Sequence, residues 1–270
     1  MEKYITKLNN GSSKNKGYTL NQYSKPENSD EWYTSYEEVE YIFEHLTEDF
    51  TDKIIYCPFD GEESNFVKYI KQNKDKLKYK ELWYTWDDWY GHLDLFDKAD
   101  FIISNPPFSE LARHNKIKDE GILFKLKNIN TKYFLFGSNL SLYLYKNILE
   151  DNIHFIRRKG FSFKLYNGVD FHNSSVCYIT NMDNNFPKKK LELTKSYDEL
   201  DEHFMAETQT DKCLLINRIK NIPYDYYDYM FVPITILFYE DDRIIIDRFP
   251  IKILNRNCYL RYKIKLKKVD

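Results

Sequence analysis

Phe101-Ile102-Ile103-Ser104-Asn105-Pro106-Pro107-Phe108 is the stretch from which the rest of the chain can be read. Its apolar start predicts a short buried strand, and Asn-Pro-Pro then ends that strand in a stiff loop. Two successive prolines fix φ and remove two backbone donors, so the loop offers the Asn105 side chain and nearby carbonyls instead. An aromatic ring, Phe108, follows at once. An amide oxygen and a carbonyl can accept the two hydrogens of an exocyclic amino group while the ring stacks on its base. A nitrogen held in that way is poised to attack an activated methyl group. The bland reading is a proline-terminated strand with no chemistry, since Asn-Pro is a common turn initiator.

Outward from this loop the chain alternates. Towards the N-terminus, residues 100–104, 81–85 and 53–57 predict strands, with a helix beginning around Glu62-Glu63-Ser64-Asn65 and burying Phe66, Val67 and Ile70. A further helix is predicted over 36–46, with Ser35 and Glu38 as a capping box and Val39, Ile42, Phe43 and Leu46 on one face. Towards the C-terminus, 133–137, 153–156 and 176–180 read as strands, and Leu140, Leu144 and Ile148 suggest a helix. Polar or acidic residues stand at the C-terminal ends of the first three strands, where open α/β sheets bind ligands.

Composition bounds the partners. The 270 residues suffice for a large domain, and 42% hydrophobic residues can fill a core. The net charge of -2 means that any nucleic-acid footprint is local rather than global. Such patches are Arg157-Arg158-Lys159-Gly160 and the C-terminal stretch 248–268, which carries eight basic residues and no acidic one. In Lys263-Ile264-Lys265 strand alternation puts both lysines on one face. A solvated basic face would read the same way.

Cys57, Cys177, Cys213 and Cys258 lie far apart with no metal-ligand spacing, so no metal site is expected and a reducing, cytoplasmic setting is the simplest. No signal pattern or membrane-length apolar run stands out. Residues 1–30 read as a polar, flexible arm, 31–185 as the catalytic domain, and 186–270 as a β-rich region with Lys188-Lys189-Lys190 as a linker. Within that region β runs are expected at 234–239, 244–246, 251–254 and 259–266.

The strand tips supply ligand candidates. Asp60, Glu62 and Glu63 can pair with a positive charge on a bound cofactor. Carboxylates ahead of a helix also favour its dipole with no ligand at all. Asp87 or Asp88 is a candidate to accept from ribose hydroxyls, Trp86 or Trp89 to flank an adenine, and Asp94 to accept from that adenine's amino group. Together with the Asn-Pro-Pro-Phe loop they point to S-adenosylmethionine-dependent methyl transfer to an amino group of adenine in nucleic acid.

Several motifs occur in order along the chain: Asp30-Glu31-Trp32-Tyr33-Thr34, Cys57-Pro58-Phe59-Asp60-Gly61-Glu62-Glu63-Ser64-Asn65-Phe66, Asn105-Pro106-Pro107-Phe108-Ser109 and Phe136-Gly137-Ser138-Asn139. They continue with Val176-Cys177-Tyr178-Ile179-Thr180-Asn181, Asn221-Ile222-Pro223-Tyr224-Asp225-Tyr226 and Val232-Pro233-Ile234-Thr235. In this set the chain resembles the EcoRI-type adenine-specific DNA methyltransferases and their phage-borne relatives. The resemblance implies an α/β, Rossmann-like S-adenosylmethionine-dependent methyltransferase fold with a C-terminal β-rich extension. It implies DNA as substrate, N6 of a flipped adenine as acceptor, and allows a restriction endonuclease as partner. Carried over, Asn105, Pro106, Pro107 and Phe108 form the catalytic loop and Cys57, Pro58, Phe59, Asp60, Gly61, Glu62 and Glu63 the cofactor loop. Trp32, Tyr33 and Thr34 complete the cofactor pocket. The interval between the loops is too short for a recognition domain, so sequence recognition is expected later in the chain. An RNA methyltransferase of the same fold and an inactive DNA-binding relative are the rival readings.

Overall fold

The computed structural model describes residues 33–86, 89–107, 111, 121–139, 153–157, 161–164, 170–173, 176–194, 196, 204–207, 212–216, 218–225, 229–239, 241–247, 251–253, 256–258 and 261–267. The chain divides into two compact units, residues 1–186 and 187–270.

The first unit is built on a six-stranded sheet. Its strands are β2 (Ile54–Cys57), β3 (Glu81–Tyr84), β4 (Phe101–Ser104), β5 (Lys132–Ser138), β6 (His154–Ile156) and β9 (Val176–Thr180), in the order β3-β2-β4-β5-β9-β6. From β3 to β5 all pairings are parallel, while β9 runs antiparallel to both β5 and β6. The central strands read as unbroken apolar runs because both faces are covered, as parallel sheets require. β4 is buried along its whole length, whereas edge strand β3 is half-exposed. This mostly parallel α/β sheet is the Rossmann-like class expected from the sequence.

Helices cover it. In α1 (Tyr36–His45) the Ser35 Oγ accepts from Glu38 N at 3.2 Å, and Val39, Ile42 and Phe43 face inward. The Glu38 carboxylate accepts from the Tyr178 hydroxyl, tying α1 to β9 through the core. α2 (Asn65–Gln72) buries Phe66, Val67, Tyr69 and Ile70, and a short α3 (Lys74–Leu77) turns the chain into β3. Between β3 and β4, where only a connection was expected, lies α4 (Leu93–Lys98); α5 (Ile122–Lys127) precedes β5. The core beneath is aromatic, with Tyr178 4.8 Å from Phe134 and 5.2 Å from Phe136, ring centre to ring centre.

A second, three-stranded antiparallel sheet joins β1 (Tyr33–Thr34) to β7 (Phe161–Lys164) and β8 (Asp170–Asn173). Thr34 pairs with Phe163. That pairing anchors the N-terminal segment beside the six-stranded sheet, a placement no local pattern announces.

The two edges of the parallel strands differ. At the N-terminal edge Lys132 Nζ reaches Glu48 Oε1 at 2.6 Å and Asp183 Oδ2 at 3.0 Å, and Lys53 meets Asp100 at 3.2 Å. The C-terminal edge carries the loops after β2 and β4.

The second unit holds a five-stranded sheet, β10-β11-β12-β16-β13, made by Phe204–Glu207, Lys212–Leu215, Met230–Pro233, Arg261–Leu266 and Ile244–Asp247. A hairpin pairs β14 (Ile251–Ile253) with β15 (Arg256–Cys258). Met230, Val232, Tyr262, Ile264 and Leu266 are buried. Residues 234–239, expected as a strand, instead form a 3-10 helix, Ile234–Phe238. It follows directly on Pro233, the last ladder residue of β12, which has no N–H to donate and so belongs at a strand end. Within the expected linker at 188–190, Lys189 forms a β-bridge with Tyr239. The helix expected around Leu140 to Ile148 and the arm at 1–30 lie outside the described residues.

Among the described residues no helix is long and apolar enough to cross a membrane, and no group of His, Cys, Asp and Glu is arranged to hold a metal ion.

Candidate active site

β2 ends at Cys57 and the chain turns through residues 58–64 before α2. The turn is closed by Asp60 N donating to Cys57 O at 3.3 Å and Ser64 N donating to Gly61 O at 3.0 Å. Ser64 caps α2, its Oγ accepting from Phe66 N at 3.1 Å. A serine in extended conformation at this position satisfies one of the helix's unpaired donors. Gly61 packs closely on Trp86: a Cβ there would lie 2.6 Å from Cε3 of the indole, which would have to shift.

Asp60 turns inward. Its Oδ1 accepts from Ser64 Oγ and its Oδ2 from Ser104 Oγ, each at 2.5 Å, and only 6% of the residue is exposed. Burial pushes its carboxyl up to about 6, against the pull of the Ser104 and Ser64 hydroxyls that favour the charged form. Ser104 also accepts from Phe59 N at 3.2 Å, so the end of β4 is stitched to the loop after β2.

Asn105 follows Ser104, half-buried, with Pro106 and Pro107 buried behind it. Its Nδ2 donates to Thr34 Oγ1 at 3.2 Å. The Thr34 carbonyl in turn accepts from Asn65 Nδ2 at 2.8 Å. Because Asn65 follows Ser64 and Asn105 follows Ser104, the contacts close a circuit running Asp60, Ser104–Asn105, Thr34, Asn65–Ser64 and back to Asp60. Beside it the rings of Tyr33 and Trp86 stack with centroids 6.2 Å apart and planes 24° from parallel.

The structure thus brings together Tyr33, Thr34, the 57–61 segment, Asn105, Pro106 and Pro107. Glu62 and Glu63 face the other way. Glu62 binds Lys71 Nζ at 2.5 Å and accepts from the Tyr84 hydroxyl, and these bonds, Lys71's first, hold its carboxyl below the usual range. Glu63 pairs with Lys68 at 2.7 Å on the surface. Asp94 pairs with Lys98 at 2.7 Å along α4, and that bond likewise lowers its carboxyl. The Cys57 thiol is fully buried, and burial raises it far from ionisation. Trp32, Asp87, Phe108, Arg158 and Lys159 lie outside the described residues. Arg157 is exposed just past β6. In the second unit Lys263 and Lys265 stand over the Tyr229 ring, 4.0 and 5.3 Å from its centre. Ser64, Ser104 and Asn65 were not singled out from sequence. Ser64 was findable as the cap of the following helix, but the bonds of Ser104 and Asn65 join distant segments.

The chain matches the family described as adenine-specific methyltransferase EcoRI over residues 20–91 and 122–257, more than half its length. It belongs to that family. The Asn105 loop falls in the interval between the two matched segments, so its place beside the 57–64 loop rests on geometry. The chain is 27% identical to the type II methyltransferase M.EcoRI of Escherichia coli, over 79% of this chain and 83% of that one. It is 22% identical to the type II methyltransferase M.MpnI of Mycoplasma pneumoniae, over 79% and 80% of the two chains. Among solved structures, TrmN from Thermus thermophilus aligns with 48% of this chain and 44% of that one at 15% identity. Its TM-score is 0.26, too low to build on.

Proposed function

We propose that this adenine methyltransferase family member transfers a methyl group from S-adenosylmethionine to N6 of an adenine flipped out of site-specific DNA. The observation that carries the reading is the junction of the two loops: Asp60 and Ser104 hold Asn105 directly beside the 57–64 turn, at the C-terminal edge of a parallel sheet. Ligands of open α/β sheets bind at that edge.

The residues fit the cofactor. Trp86 keeps 44% of its surface open next to Tyr33, a flat aromatic face for an adenine ring. Gly61 brings the loop backbone flush against the same indole. The cofactor loop is assigned as Cys57 to Glu63, with Trp32, Tyr33 and Thr34 assigned to complete the pocket and Asp87 and Asp94 to the nucleoside end. When bound, S-adenosylmethionine supplies an electrophilic methyl group on a sulfonium.

The protein's part is positioning. Asn105 Oδ1 and the Pro106 carbonyl accept the two N6 hydrogens and turn the nitrogen lone pair towards the methyl group. Phe108 stacks on the base, and the buried prolines keep the carbonyl from moving. No strong general base is needed: transfer would form the N–C bond as the sulfonium S–C bond breaks, leaving a neutral thioether and an N6 proton acidic enough to pass to water. Alignment of this kind is worth several orders of magnitude in rate. Arg157, Arg158, Lys159, Lys263 and Lys265 are assigned to phosphate contacts. Action on cytoplasmic DNA, with a restriction endonuclease as functional partner, completes the reading.

The test is nucleoside mass spectrometry after incubation with S-adenosylmethionine and unmethylated genomic DNA, with total RNA in parallel. N6-methyladenine is expected in DNA only, and absent with Asn105→Ala. Product confined to RNA would change the substrate, and no product in either would favour an inactive DNA-binding protein.

A further inference from the structure

The circuit through Asp60 contains one residue whose bond bears directly on the chemistry. Thr34 is held on both sides of its peptide. Its backbone pairs with Phe163 of β7, and its carbonyl accepts from Asn65 Nδ2 at 2.8 Å. Only 6% of the residue is exposed, so its hydroxyl has little freedom to leave its place. That hydroxyl accepts from Asn105 Nδ2 at 3.2 Å.

A primary amide has unlike ends. The oxygen accepts and the NH2 donates, and they sit on opposite corners of one planar group. A threonine hydroxyl can bond either end, so what the contact with Thr34 fixes is the place of the amide plane. In the structure Nδ2 points at Thr34 and Oδ1 points away from it, the direction from which it can accept hydrogens from an amino group.

We propose that Thr34 is a positioning residue for methyl transfer: its hydroxyl, held by the backbone bonds of Thr34, pins the Asn105 side chain where its oxygen can meet the acceptor's amino group. The inference rests on the role given to Asn105 above. It differs from the assignment of Thr34 to the cofactor pocket, since a pocket residue acts on cofactor affinity and a positioning residue on turnover. The rest of the circuit serves the same end: Asp60 fixes Ser104 and Ser64, and these fix the backbones that carry Asn105 and Asn65.

The experiment compares the full-length protein with Thr34→Val, Thr34→Ser and Asn105→Ala. It measures kcat, the KM for S-adenosylmethionine, the cofactor Kd by calorimetry, and thermal unfolding. Valine keeps the shape of threonine and removes the hydroxyl; serine restores the hydroxyl and removes the methyl. Thr34→Val should lower kcat roughly tenfold or more, the size of one lost hydrogen bond. Its cofactor Kd and KM should stay within about twofold of the parent, since no uniform binding is lost. Thr34→Ser should recover most of the rate. Unchanged kcat in Thr34→Val would overturn the inference. So would a raised cofactor KM at constant kcat, or a Thr34→Ser as slow as Thr34→Val. If Thr34→Val does not fold, Thr34→Ala takes its place in the same comparison with Thr34→Ser. Full activity in Asn105→Ala would instead bring down the role of Asn105, whereas an inactive Asn105→Ala beside an unaffected Thr34→Val would bring down the role of Thr34 alone.

Discussion

The two edges of the parallel sheet use opposite chemistry. At the N-terminal edge opposite charges are paired: Lys53 and Asp100 meet with about two-fifths of each side chain exposed, and Lys132 spans the exposed Asp183 and a largely buried Glu48 carboxylate. At the C-terminal edge one carboxylate is buried, and the groups around it are hydroxyls, amides and carbonyls. Exposed ion pairs contribute little and tolerate many geometries. Hydrogen bonds between neutral groups in a buried place tolerate few, and each unsatisfied partner is costly. The first edge closes the fold, and the second fixes directions in space. The difference is that between holding and aiming.

The contrast is broken most sharply by Asn105→Ala, which removes the group that is aimed. Methylation of DNA should fall roughly 10³-fold while cofactor binding by calorimetry is largely kept. Equal loss of both would mean that Asn105 serves the pocket rather than the acceptor.

Next in size is Asp60→Asn, whose amide can accept from only one serine at its oxygen. Turnover should drop at least about tenfold. The same variant reports on charge. A buried carboxyl lifted from its ordinary value of 3.8 to about 6 binds its proton more tightly folded than unfolded. Its contribution is therefore most favourable below pH 4 and is lost as pH rises through 6, with a difference on the order of 3 kcal/mol. Denaturant titrations of parent and variant across pH 4 to 7 should diverge in that sense, the parent losing ground as pH rises. Parallel curves would mean that the Asp60 site is wetter than its packing indicates.

Gly61→Ala should act more gently. The new methyl group would sit 2.6 Å from a Trp86 ring carbon, and the half-exposed indole can yield. A loss of about 1–2 kcal/mol of stability is expected, with a raised KM for S-adenosylmethionine and altered indole fluorescence. The smallest effect belongs to the other edge. Lys53→Met should cost under ~1 kcal/mol and leave methylation unchanged. A measurable loss of activity there would erase the distinction between the edges.

Much of the first unit was legible because buried parallel strands announce themselves as continuous apolar runs. Strands expected at 53–57, 81–85 and 100–104 stand at Ile54–Cys57, Glu81–Tyr84 and Phe101–Ser104, and the helix expected at 36–46 is Tyr36–His45. The insertion of antiparallel β9 between β5 and β6 was not legible, since strand order is set by long-range pairing and leaves no periodic trace. Nor was the two-residue strand Tyr33–Thr34, which exists only because β7 is there to pair with it. For the site, the motif loops were visible but the direction of each carboxylate was not. Asp60, Glu62 and Glu63 look alike in sequence. One is sealed against two serines, and two lie on the surface with lysines whose reach depends on helix geometry. The strand expected at 234–239 is a 3-10 helix instead, since β12 ends at Pro233, which has no N–H to donate to a ladder.

The circuit through Asp60 also constrains what can be inserted or deleted. It passes through two covalent links, Ser64–Asn65 and Ser104–Asn105, and through the turn that carries Asp60 between Cys57 and Ser64. One residue more or fewer in that turn would rotate the Ser64 cap away from Asp60 and leave Asn65 out of reach of Thr34. Change in chain length is therefore expected to collect elsewhere, while the turn after β2 keeps a constant residue count. An engineer grafting a new recognition loop onto this scaffold has this turn closed to insertion.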